Sequence, residues 1–334
     1  VVNDAADARS HEGASASHPQ PIDSSLVPRF AQPATFFRSP WVQDLDAVEL
    51  DVALVGVPYD WGTNRNGARG APAQIREMSR LIRRFNSDGV GPFDLVRVSD
   101  VGDAPVNPLD HAGAFEDLVH YYRGLRDRGI VPVSTGGDHG LAHPILRGLF
   151  TGEKIALIHI DAHPDTYDEL YGNRYNHGTM LRRGVEEDIL DPTKLISIGI
   201  RGTRFSLDDR DYHAATGMRL VTMDEFEEIG RQGVIEEIRR VVGDAPVYVS
   251  FDLDALDPVY CPATGAPEPC GMSMRDAQVI IRSLAPLNLI GADVSELIPA
   301  LDPYGHTAVN AANLMFEMLC AVAQSVARRK GGEQ

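Results

Sequence analysis

The stretch Lys154–Asp165, KIALIHIDAHPD, decides the fold. It is nearly continuously apolar as far as Ile160 and then turns abruptly acidic. Such a run fits a strand buried on both faces, the habit of parallel sheets covered by helices. Pro246–Asp254, PVYVSFDLD, repeats the pattern. Working outward from these two, eight β-branched or apolar runs read as strands: 51–57, 95–98, 130–134, 154–160, 194–200, 219–222, 246–251 and 288–292. Amphipathic segments fall between most of them. The clearest are 71–85, 112–128, 235–242, 273–284 and 307–329, with apolar residues at i, i+3, i+4 and i+7. Strand–helix alternation implies a mostly parallel, doubly wound α/β sheet. In such sheets ligands bind beyond the carboxyl ends of the strands.

The chemistry-bearing residues cluster at those ends. Gly136-Gly137-Asp138-His139 follows the third strand and Asp161-Ala162-His163-Pro164-Asp165 the fourth. Asp252-Leu253-Asp254 follows the seventh, and Asp293-Val294-Ser295-Glu296 the eighth. Residues two apart in extended chain point the same way. Asp161, His163 and Asp165 can therefore converge, and so can Asp252 and Asp254. Carboxylates extending apolar strands are costly without compensation. His139, Asp161, His163, Asp165, Asp252 and Asp254 supply four carboxylates and two imidazoles, enough to balance two divalent cations. The mixed oxygen and nitrogen set suits Mn²⁺, with Zn²⁺, Co²⁺ or Ni²⁺ as alternatives. An isolated Asp-x-Asp is ordinarily turn chemistry. Three such groups at three strand ends are not explained that way.

The order GGDHG (136–140), DAHPD (161–165) and SFDLDALDP (250–258) resembles the metal-binding signatures of the ureohydrolase family, which includes arginase, agmatinase and guanidinobutyrase. The likeness runs from about residue 28 to 329 and includes GVPYDWGTNRNGARGAPAQIRE (56–77) and HGTML (177–181). The resemblance implies a three-layer sandwich around an eight-stranded, mostly parallel sheet. It implies two metal ions, Mn²⁺ first and Ni²⁺ as the alternative. His139 and Asp165 would bind one ion, His163 and Asp254 the other, with Asp161 and Asp252 bridging. His177 matches the family's proton-transfer histidine and Glu296 the carboxylate that receives the guanidinium. Asp254 would also carry a proton to the leaving amine. Asn176, Trp61 and Asn64 are further expected substrate contacts. Homo-trimers or hexamers are implied, or a mixed oligomer with a related subunit.

The implied reaction is hydrolysis of a guanidino compound to urea and an amine. The loop 166–181 and GIRGTR (199–204) look most like the agmatinase and guanidinobutyrase branch. Agmatine is thus the first expectation. Guanidinobutyrate, guanidinopropionate and a small or substituted guanidine or biguanide are alternatives. Asp168 and Glu169 could meet an amine tail; Arg174 and Arg204 could meet a carboxylate tail. The rival classes are a formimidoylglutamate-type hydrolase, a non-catalytic regulatory subunit and a dehydrogenase. No metal ligand is missing, which argues against the second. Gly62, Gly67 and Gly70 do not make the Gly-x-Gly-x-x-Gly that the third requires.

Composition sets outer limits. The chain has 334 residues and a formal net charge of −17. That argues against a nucleic-acid partner, which needs clustered Lys and Arg, and is compatible with a small cationic substrate. Residues 1–28 are rich in Ala, Ser, Asp, His and Pro and read as a flexible tail; 29–334 read as one catalytic domain. No membrane span is expected. Cys261, Cys270 and Cys320 form no CxxC and read as free thiols. With no export signal visible, a cytoplasmic setting is expected.

Overall fold

The computed structural model describes residues 18–332. Eight strands form one sheet: β1 (Val52–Gly56), β2 (Val98–Asp103), β3 (Val131–Thr135), β4 (Ile155–Ile160), β5 (Leu190–Ile200), β6 (Arg219–Thr222), β7 (Pro246–Asp252) and β8 (Asn288–Ser295). Their order is β2-β1-β3-β8-β7-β4-β5-β6. Every strand pair is parallel, so the sheet is wholly rather than mostly parallel. The helices are α1 (Ala71–Ser79), α2 (Pro92–Leu95), α3 (His111–Asp127), α4 (Ala142–Leu149), α5 (Met180–Glu186), α6 (Asp211–Thr216), α7 (Met223–Val242), α8 (Met274–Ser283) and α9 (His306–Gly332).

The period-2 alternation of the strands feeds two cores. Val52, Leu54, Ala156, Ile158 and Ile160 join the core made with α1, α7, α8 and α9. Ala53, Val55, Ile155 and Leu157 join the one made with α3, α4 and α5. The result is the expected three-layer sandwich. A buried side chain such as Ile158 contributes about 1.5–3 kcal/mol by burial, and Ile158→Ala would cost about 2–5 kcal/mol because the layers cannot collapse around the gap. Helix α9 contains a window of hydropathy 1.2, apolar enough to cross a membrane by composition, yet 78% of that window is buried within the fold. It is the central core helix of one layer.

Several element boundaries differ from expectation for local reasons. The expected strand 95–98 is largely the end of α2 and its exit; β2 instead runs through the polar SDVGD. Asp100 can be buried there because Arg76 pairs with it, Nε to Oδ2 at 2.9 Å and Nη2 to Oδ1 at 3.0 Å. Helix α1 stops at Ser79 rather than Phe85, since Leu81 and Ile82 switch to bonds with Met78 and Ser79 three residues back. Helix α7 starts at Met223, well before the expected residue 235, with a break at Gly230. Helices α2, α4, α5 and α6 lie outside the five clearest expected segments. Of the expected tail, 1–17 lie outside the described residues. The remainder lies on the body: Ile22 donates its N–H to the Arg38 carbonyl at 3.2 Å. Cys261 and Cys320 are buried free thiols, and Cys270 is an exposed one.

Candidate metal centre and active site

Four strands at the middle of the sheet, adjacent in the order β3-β8-β7-β4, end on one point. This brings together all six expected metal ligands. His139 Nδ1 lies 2.9 Å from Asp161 Oδ2, 3.1 Å from Asp165 Oδ2 and 3.4 Å from Asp252 Oδ2. His163 Nδ1 lies 3.1 Å from Asp254 Oδ2 and 3.4 Å from Asp161 Oδ1. Asp161 therefore faces His139 with one oxygen and His163 with the other. All of these except His163 are buried.

The local backbone explains the convergence. Gly137 sits at φ +75°, and an added Cβ would come within 2.4 Å of the Tyr59 carbonyl. Only glycine allows the chain to turn there so that His139 faces the other strand ends. Asp165 at φ +49° and Glu296 at φ +72° hold left-handed conformations that cost a non-glycine residue free energy. Both point functional carboxylates into the centre.

The tautomer of His139 shows what the cluster lacks. Its Nε2 lies 2.9 Å from Ser250 Oγ, and Ser250 donates to Asp293 at 3.0 Å. Asp293 takes the Ser250 proton, so Ser250 accepts from His139 Nε2–H. Nδ1 then carries a lone pair aimed at three carboxylates, and it has no hydrogen-bond partner. That contact is repulsive unless a cation lies between the groups. Without one, protons must substitute. Burial opposes charge on His139, but Asp161 and Asp165 outweigh it and raise its pKa well above the usual range. Burial and then the charges of Asp254 and Asp161 push Asp252 upward. Two ligand sets can be drawn from groups close enough to share an ion: His139, His159, Asp161 and Asp165, and then Asp161, His163 and Asp254. A bare imidazole nitrogen among buried carboxylates is the donor set of a divalent metal centre.

Beside the cluster lies a pocket of about 270 Å³. Glu296 forms part of its wall. One oxygen, Oε1, accepts the His139 backbone N–H at 2.8 Å, while Oε2 is buried without a partner. His177 Nδ1 stands 3.6 Å from Oε1. Burial disfavours the His177 imidazolium, but the Glu296 carboxylate outweighs it and raises the pKa to about 9. The His177 backbone N–H donates to the Gly62 carbonyl at 2.9 Å, and the Gly62 N–H donates to Asp138 Oδ2 at 2.7 Å. Asn64 also lines the pocket.

Two expected contacts are placed elsewhere. Trp61 packs against His111, with ring centroids 4.9 Å apart, and lies outside the pocket lining. Asn176 spends its side chain capping the turn at His177–Thr179. Sequence reasoning gave Asp138 and Ser250 no role of their own within their motifs, missed His159, and placed Asp293 beyond a strand that in fact contains it. Extending the two-residue alternation backward from Asp161 and Asp252 would have found His159 and Ser250.

The family model described as "Arginase family" matches residues 50–320. The chain belongs to the arginase family. Members of that family are metal-dependent hydrolases acting on C–N bonds, and the site just described is its metal-binding cluster. Among the relatives, a guanidinopropionase from Pseudomonas aeruginosa is 46% identical over 93% of this chain and 98% of its own. A mitochondrial agmatinase from Gallus gallus is 43% identical over 82% of this chain and 81% of its own. The solved structure of proclavaminate amidino hydrolase from Streptomyces clavuligerus superimposes with a TM-score of 0.85 at 39% identity, covering 90% of this chain and 100% of that one.

Proposed function

We propose that this arginase-family enzyme hydrolyses a guanidino acid to urea and an ω-amino acid, with 3-guanidinopropionate as the first substrate to assay. The observation that carries the reaction is Glu296: a buried carboxylate with one unpaired oxygen, facing a pocket next to the carboxylate–imidazole cluster. A guanidinium offers N–H groups that pair with such a carboxylate. His139, Asp161, His163, Asp165, Asp252 and Asp254 would hold two divalent ions, Mn²⁺ before Ni²⁺. Bound there, the ions would lower the pKa of water and so supply a nucleophile at neutral pH.

The chain's own residues do the rest. Glu296 fixes the guanidino carbon against the cluster. Asp254 accepts the proton released from the water and delivers it to the departing nitrogen. His177 exchanges protons between the pocket and solvent. The balance is one guanidinium and one water giving one urea and one ammonium-tailed product.

Support for an acid tail comes from the rim and from the 46% identical guanidinopropionase. Of the four charges considered from sequence, only Arg204 lines the pocket. Arg174 and Asp168 pair with each other at 3.2 Å outside the lining. Agmatine is the second reading, favoured by Glu268 on the same rim and by the 43% identical agmatinase. Urea release from both compounds, and from 4-guanidinobutyrate, separates them. The acid reading requires the higher kcat/KM for a guanidino acid and a loss of that preference in Arg204→Ala. A higher value for agmatine, lost in Glu268→Ala, overturns it. Glu296→Gln tests the reaction class: two ions retained, kcat reduced by about 10²–10³-fold. A homo-oligomer and a cytoplasmic setting belong to the same proposal.

A further inference from the structure

Beneath the ligands, on the same side of the sheet, lies a transverse row of polar residues. Register pairs Ser134 with Asp293, Asp293 with Ser250, Ser250 with His159, and His159 with Ser197. Every one of these side chains is fully buried, in a layer filled mainly by aliphatic groups together with the rings of Tyr122 and Tyr248. Buried polar groups survive only when hydrogen-bonded, so the row must be organised. Its member nearest the ligands along the chain is His159, two residues before Asp161, which directly follows β4.

The hydrogen bonds run in one direction. His159 Nε2 lies 3.0 Å from Asp161 Oδ2. A carboxylate only accepts, so Nε2 carries the proton and Nδ1 is the acceptor. Nδ1 lies 3.1 Å from Ser197 Oγ, which must therefore donate to it. Ser197 Oγ in turn lies 3.2 Å from His213 Nε2, and accepts from it. His213 belongs to α6, directly after the loop whose Thr203, Arg204 and Phe205 line the pocket.

We infer that His159 is a positioning residue for the carboxylate of Asp161, with Ser197 and His213 fixing its ring and its tautomer. This rests on the reading of Asp161 as the ligand shared by two ions. Asp161 faces His139 with Oδ2 and His163 with Oδ1, so a small rotation of its carboxylate would alter both ion sites together. The His159 N–H restrains that rotation from the oxygen shared with His139. Removing such a supporting hydrogen bond typically costs 10–100-fold in metal affinity or activity.

The test is the Mn²⁺ dissociation constant, measured by competition with a chelator on protein first stripped of metal. Wild type must take up two ions per chain; failure to do so sinks the ligand assignment itself, independently of His159. Given two ions, His159→Ala is expected to weaken binding by roughly 10–100-fold. His159→Gln, whose amide can still donate toward Asp161, should recover most of that loss. Ser197→Ala should weaken binding severalfold and serves alone if His159→Ala does not fold. The melting temperature of the metal-free variants provides the control for a merely structural role. Affinity within twofold of wild type in His159→Ala, or in Ser197→Ala when it stands alone, overturns the inference. So does an equal loss in His159→Ala and His159→Gln.

Discussion

Two buried acidic clusters in this molecule are built on opposite principles. At the β1–β2 edge, Asp100 is fully buried and its charge is met within the chain by Arg76, whose Nη1 also reaches Asp103 at 2.6 Å. The Arg76 guanidinium further lies 4.2 Å from the Phe36 ring centre. At the β3-β8-β7-β4 end, Asp161, Asp165, Asp252, Asp254 and Glu296 are packed together. Among the described residues, their ion-pair partners are histidine rings. The first cluster is complete as folded. The second needs charge from outside, which is what a metal centre is. The sharpest way to break this contrast is Asp161→Ala. It should abolish activity and remove both ions, read by metal analysis of the purified protein. Retention of two ions would mean that the carboxylates share less than their placement indicates.

Removing a buried carboxylate charge at the other cluster should act only on stability. Asp100→Asn leaves Arg76 buried and partly unpaired, at a cost of about 3–5 kcal/mol. Denaturant unfolding would show it, with metal content unchanged. Chelation gives the complementary effect at the metal centre. Stripping the ions should destabilise wild type by about 2.7 kcal/mol for each ion held at a hundred times its dissociation constant. Asp161→Ala should show no chelator-dependent shift in melting temperature.

The contrast also explains what could be read without a structure. The site was legible because KIALIHIDAHPD and PVYVSFDLD place acids immediately after apolar strands, where only the active edge tolerates them. The β1–β2 edge was not, because SDVGD looks like a loop until Arg76, 24 residues before Asp100 in sequence, is seen beside it. Long-range compensation leaves no local pattern. His159, Ser197 and Ser250 were hidden for a related reason. They sit inside strands whose apolar neighbours dominate the reading, and their meaning depends on lateral register across β4, β5 and β7. Trp61 misled in the opposite sense: it is close in sequence to the pocket loop, but its ring is taken up by His111.

His177 lies between the two principles and gives the finest test. In the metal-free protein its imidazolium is a stand-in for the missing charge, held by Glu296 with the pKa raised to about 9. A raised histidine pKa stabilises the fold fully below the unfolded value of about 6.5, and that contribution disappears as pH rises through the folded value. The metal-free protein should therefore lose that stabilisation between about pH 6.5 and 9. Two ions bound nearby oppose a further positive charge, so loading should shift the His177 titration downward, toward the range suited to proton exchange at neutral pH. Ring proton shifts followed against pH would measure this in both states. Glu296→Gln should move the metal-free value down as well, because it removes the carboxylate that outweighs burial. A His177 titration that stayed near 9 in that variant would assign its charge to the metal-ligand cluster instead, and would join the histidine to the incomplete site rather than to the guanidinium subsite.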